Sequence, residues 1–145
     1  MIGRTPLLLV LGGTHSGRED FVHERLRQLL IRDTVLHVAA EPGGDLTGAL
    51  RGRRGIAVVL DDFAAALRAA WPADTERAEV YAIEAADAMR AAAGMIAVIV
   101  STEPEGAAAD FGARLGAANR ALAATAEEVV LVVAGMPVTL KTSEK

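Results

Sequence analysis

The chain has no cysteine, and only 3% of its 145 residues are aromatic. The first lack excludes disulfides, thiolate chemistry and cysteine-based metal sites. The second makes any core aliphatic, since 52% of the residues are hydrophobic all the same. Lysine is nearly missing: Lys141 and Lys145, at the far C-terminal end, are the only two. No apolar run approaches the roughly 20 residues that a membrane-spanning helix needs. The opening MIGRTPLLLVLGG sets Arg4 before an apolar stretch, as a signal peptide does. That stretch is short and ends in Gly12-Gly13, so a buried first strand is the better reading. A net charge of -4 and a pI near 5.4 argue against nucleic acid. The expectation is a cytoplasmic protein with neither a membrane nor a nucleic-acid partner.

What is present alternates. A length of 145 residues suits one domain, 1–145. Residues 6–11 (PLLLVL) form a continuous apolar run, as in strands covered on both faces. A helix follows from Arg18, with Val22, Leu26, Leu29 and Leu30 on one stripe. Residues 34–40 (TVLHVAA) read as a second strand, 41–55 as a Gly- and Arg-rich loop with one helical turn, and 56–61 (IAVVLD) as a third strand. A short helix over 63–71 ends at Pro72. Asp74 or Thr75 then caps a long helix to Ala93, where Gly94 stops it. Residues 95–101 form a fourth strand, 107–124 a helix, and 128–134 and 138–141 two last strands around Gly135. This order predicts an α/β fold: a three-layer sandwich with a mostly parallel sheet of about six strands and helices on both faces.

Between the first strand and first helix stand Gly12, Gly13, Thr14, His15, Ser16, Gly17, Arg18 and Glu19. The phosphate-loop pattern is G-x-x-x-x-G-K-[ST], whose backbone N–H groups wrap a phosphate at a helix N-terminus. Gly12 and Gly17 match it in spacing and context; Arg18 stands for the lysine and Glu19 for the magnesium-binding hydroxyl. The same residues also suit a plain Gly-rich turn. Guanidinium is larger and differently directed than ammonium. A carboxylate about 4 Å from a phosphate oxygen costs roughly 4 kcal/mol at an effective dielectric near 20. Efficient phosphoryl transfer is not expected here.

The C-terminal third, FGARLGAANRALAATAEEVVLVVAGMPVTLK from Phe111, resembles the closing block of the adenosylcobinamide kinase/adenosylcobinamide-phosphate guanylyltransferase family. The matching positions are Phe111, Gly116, Asn119, Leu122-Ala123, Glu127-Glu128, Val129, Leu131-Val132-Val133, Gly135, Val138 and Lys141. Arg120 stands where glutamine is usual. The family's opening loop, G-G-x-R-S-G-K-S, is similar to residues 12–19, with His15 at its arginine; Leu60-Asp61 matches its Leu-Asp, and Thr102-Glu103 its Asn-Glu. The resemblance implies a phosphate-loop fold, GTP or ATP with magnesium as cofactors, a phosphate-bearing small molecule as partner, and a role in cobalamin biosynthesis. It also implies nucleotide-binding roles for residues 12–19, metal roles for Asp61 and Glu103, and a homo-oligomer, a trimer. The family's guanylylated histidine has no counterpart in residues 40–55, where Arg51, Arg53 and Arg54 stand. Its loop after the Asn-Glu is reduced to Pro104-Glu105-Gly106. With lysine, hydroxyl, histidine and loop all lost, the expectation is a pseudoenzyme that keeps the fold and weak nucleotide or anion binding. Two other readings stay open: a non-catalytic, oligomer-forming partner subunit, and an enzyme using Arg18 and Glu19 in another way.

Of the three histidines, His15 is the one placed to touch a ligand, though a solvated loop residue is the plainer reading, while His37 is expected inside the core and His23 on a helix. Asp61-Asp62 suits a metal site or a helix cap, and the family resemblance implies the site role for Asp61 and the cap for Asp62. Glu103, at its strand's C-terminal end, points to the ligand edge of such sheets, and serves equally as a loop carboxylate. On the long helix Glu76, Glu79, Glu84, Asp87 and Arg90 gather on one arc, which also holds Val80 and Ile83. Apolar side chains there suggest a contact with another copy.

Overall fold

The structure, a computed structural model, describes residues 4–32, 35–104 and 109–142. Among these, β1 (Leu7–Leu11) leads to α1 (Arg18–Gln28), then β2 (Val35–Val38), a 3-10 turn at Pro42–Gly44, α2 (Leu46–Leu50) and β3 (Gly55–Leu60). There follow α3 (Phe63–Ala70), α4 (Thr75–Ala92), β4 (Ala93–Ser101), α5 (Ala109–Thr125), β5 (Glu128–Val133) and β6 (Met136–Lys141). The six strands form one sheet in the order β2-β3-β4-β1-β5-β6. All neighbours run parallel except β5 and β6.

The apolar run of β1 is buried along its whole length because both faces are covered. The cover is unequal. Leu46, Phe63, Ala82 and Leu115, from α2, α3, α4 and α5, pack with Leu7, Leu9 and Ile99 on one face. On the other, Val22 and Leu26 of α1 alone among the helices meet Leu8, Val10, Val59, Val98 and Val100. Helix starts follow local chemistry. Asp45, Asp62 and Asp74 accept from the backbone N–H three residues on, at 2.8, 3.1 and 2.8 Å, satisfying donors that a helix start leaves open.

Several expectations change. Asp74, not Thr75, caps α4. Gly94 does not stop that helix; the chain turns extended at Ala93 and Gly94 lies inside β4, beside a register shift against β3. The last strand starts at Met136 because a two-residue turn, Ala134-Gly135, folds it straight back on β5. His37 is not in the core: β2 is an edge strand under the sparsely covered face, and the ring is exposed. Arg90 leaves the charged arc of α4. At the helix end it is 6% exposed and donates to Thr5 O, Thr125 O and Glu127 Oε1, tying α4 to the end of α5 and to the segments that lead into β1 and β5. Thr34 and residues 105–108 lie outside the described residues. No helix among those described is long and apolar enough to cross a membrane.

Candidate functional site: the loop between β1 and α1

The strand order builds a crevice at one place. From β1 the chain crosses through α1 toward β2; from the adjacent β4 it crosses through α5 to β5, on the other side of β1. The two connections leave opposite faces, and open α/β sheets bind ligands where neighbouring connections diverge in this way. The Gly12 N–H donates to Ser101 O at 3.2 Å across that point.

Arg18 fills it. Its guanidinium turns inward, 4% exposed, and Nη1 donates to Gly12 O at 3.1 Å and to Ser101 O at 3.2 Å. Nε donates to Glu19 Oε2 at 3.1 Å, while the Glu19 side chain stays 60% exposed. The cation therefore satisfies the carbonyls ending β1 and β4. Beneath it, Ser101 Oγ donates to Asn119 Oδ1 at 2.8 Å and Asn119 Nδ2 to Thr102 O at 2.9 Å, so Asn119 pins α5 to the end of β4.

The loop itself is tied down. Gly13, Thr14 and His15 are exposed, but the Ser16 N–H donates to Gly13 O at 3.1 Å, and Ser16 O accepts from Gly135 N at 2.7 Å. Ser16 Oγ is buried without a partner among the described residues. Gly17 has φ 94°, and a Cβ there would stand 3.2 Å from Gly135 Cα. A Cβ on Gly12 would meet Val132 O at 2.9 Å. Gly17 is thus required by its left-handed backbone, and Gly12 by the closeness of Ser16 and of β5.

Asp61 follows β3, two strands from β1, or about 10 Å at the usual strand spacing. Its carboxylate meets His37 Nδ1 at 3.0 and 3.2 Å, a pairing that sequence spacing does not reveal. Glu103 is exposed beyond β4. Among the described residues no group of three His, Asp or Glu is arranged to hold a metal ion. A magnesium nucleotide fits these side chains poorly: the cation points inward, and Glu19 stands where a neutral hydroxyl would serve. Of the sequence candidates, residues 12–19 come together with Ser101; Asp61 pairs with His37 and lines one cavity with Glu19, and Glu103 joins neither. Ser101 and Asn119 are site residues of which only Asn119 drew notice, through the C-terminal resemblance.

A scan against known protein families finds no profile that matches this chain, and a search of characterised proteins finds no match.

Proposed function

We propose that the chain is a degenerate relative of the adenosylcobinamide kinase/guanylyltransferase family, a cytoplasmic pseudoenzyme with a phosphate-loop-type fold and no kinase or guanylyltransferase turnover. The observation that carries this reading is the inward guanidinium of Arg18, bonded to Gly12 O and Ser101 O. Any GTP, ATP or other phosphate-bearing ligand is left with exposed backbone amides of Gly13, Thr14 and His15, which supports weak binding only. The β1-loop-α1 arrangement, with Asp61 at the end of β3 and Glu103 beyond β4, is the order the quoted motifs call for; the place in cobalamin biosynthesis rests on the sequence resemblance alone. The experiment is transfer of labelled phosphate from ATP or GTP, with magnesium, to cobinamide. Turnover at ordinary enzyme rates refutes the reading. The double change Arg18→Lys with Glu19→Ser raises nucleotide affinity if the backbone cradle persists; thermal shifts measure it, since ligand at 100 times its Kd adds about 2.7 kcal/mol.

A second reading, a non-catalytic subunit that associates with its own kind, has one observation in its favour. Val80 is 54% and Ile83 43% exposed on the outer side of α4, among Glu76, Glu79, Glu84 and Asp87. Light scattering checks it: the reading expects a homo-oligomer, a trimer by the family resemblance, that Val80→Asp with Ile83→Asp dissociates. A clean monomer at micromolar concentration disposes of it.

A further inference from the structure

Arg51, Arg53 and Arg54 stand just before β3, at the end of the parallel sheet opposite the β1–α1 loop. They sit on a fixed turn. The Arg53 N–H donates to Leu50 O at 3.0 Å, and Arg51 (φ −59°, ψ 121°) precedes Gly52 (φ 71°). This is the pattern of a type II turn, whose third residue needs the positive φ that glycine supplies. Gly55 then opens β3 and pairs with Ala93. The three arginines border a hollow of about 390 Å³ between this turn and the end of α4. Its α4 wall is Ala88, Ala91 and Ala92, whose small side chains leave the space that longer ones would fill. A volume of this order suits a small ligand.

We propose that this hollow binds a small organic phosphate, its dianion held by the guanidinium groups and its organic part against the alanine wall. Two features carry the assignment. The first is uncompensated charge. No carboxylate borders the hollow, and among the described residues none of the three arginines has an ion pair, in a chain of net charge -4. Like charges this close repel one another, and a dianion offsets that repulsion better than a monoanion. The second is unspent donors on a fixed frame. Each guanidinium carries a rigid fork of N–H groups that matches phosphate oxygens. Among the described residues these forks meet one protein acceptor, Ala49 O, which takes Arg53 Nη1 at 3.2 Å; those of Arg51 and Arg54 meet none. Three cations around one hollow suit a single phosphate group, not the long phosphate track of a nucleic acid. The inference stands apart from the function proposed above, since residues 12–19 lie at the other end of the sheet.

The test is an amide NMR titration of the full chain with phenyl phosphate at about pH 7.5, where the phosphate is mostly a dianion. Inorganic phosphate, benzoate and phenol are titrated separately at matched ionic strength. Phenyl phosphate is expected to give saturable shifts over residues 47–54 and 88–92, inorganic phosphate weaker ones there, and benzoate and phenol none that saturate. Arg51→Gln with Arg54→Gln changes exposed side chains that hold no described partner. It is expected to weaken phenyl phosphate binding about tenfold or more and to leave urea unfolding unchanged. Shifts confined to residues 12–19, equal binding of benzoate, or full affinity in the double variant each overturn the proposal. So does a double variant that loses stability with no change in phosphate binding, which assigns the arginines to the negative C-terminal end of α4 instead.

Discussion

Arg18 and Glu19 are neighbours with opposite places in the fold. The arginine is buried and holds two backbone carbonyls, whereas the glutamate remains at the surface. Truncating the buried donor leaves Gly12 O without its side-chain partner and Ser101 O with the Gly12 N–H alone, and hydrogen bonds to charged groups are worth about 1.5–3 kcal/mol. Arg18→Ala is therefore expected to destabilise the protein by about 2–3 kcal/mol in urea unfolding. Glu19→Ser, which removes a half-exposed carboxylate from the buried guanidinium but leaves both carbonyl bonds, is expected to cost less, about 1 kcal/mol. A phosphate-binding side chain predicts the reverse pattern, since its removal relieves unpaired charge. From the sequence, Arg18 was legible as a misplaced charge. Its role as a carbonyl clamp was not, because Ser101 lies 83 positions away and only the β1–β4 pairing brings it near.

At the scale of elements, the tip of the β5–β6 hairpin governs the loop. Ala134 and Gly135 both have positive φ, 51° and 77°, the pairing of a type I′ turn that suits Asn-Gly better than Ala-Gly. Ala134→Asn is expected to raise stability by about 0.5–1 kcal/mol. For a chain of this size that is about 2–3 °C in Tm by calorimetry. An unchanged or lower Tm contradicts the turn geometry. Most elements were readable because burial and caps are local: PLLLVL announced β1, and Asp62 and Asp74 announced α3 and α4. The edges were less so. His37 looked like a core residue because VLHV is apolar, yet whether a strand is central or at the edge is decided by residues far from it. The glycines of the loop misled in another way. Gly12 and Gly17 read as half of a phosphate motif, while the close approach of Ser16 and Val132 to the first and the positive φ of the second explain them without a ligand.

At the N-terminal ends of β1 and β5, opposite the loop, Glu127 ties the molecule together. It accepts from Leu7 N at 2.8 Å and from Arg90 Nη2 at 2.8 Å, with Arg4 Nε at 3.4 Å. Burial pushes its carboxyl upward, but the Leu7 N–H, Arg90 and Arg4 together outweigh burial and hold it below its ordinary value of 4.5. A carboxyl lowered in the folded state adds stability that is complete above the unfolded value and fades as pH falls through the folded one. Acid unfolding is accordingly expected to steepen below about pH 4.5. Glu127→Gln flattens that limb and lowers stability at pH 7; an unchanged acid limb contradicts the role given to Glu127. Stability at this end and the closed crevice at the other describe a scaffold whose cation serves the fold. Hydrogen exchange at the arginine Nε–H groups tests that most directly, with Arg18 assigned by the loss of its signal in Arg18→Lys. With the guanidinium serving the fold, the Arg18 Nε–H is expected to exchange slowly with water, like that of the equally buried Arg90, and to stay unmoved by saturating magnesium-GTP. A fast-exchanging Arg18, or one that shifts on adding the nucleotide, contradicts it.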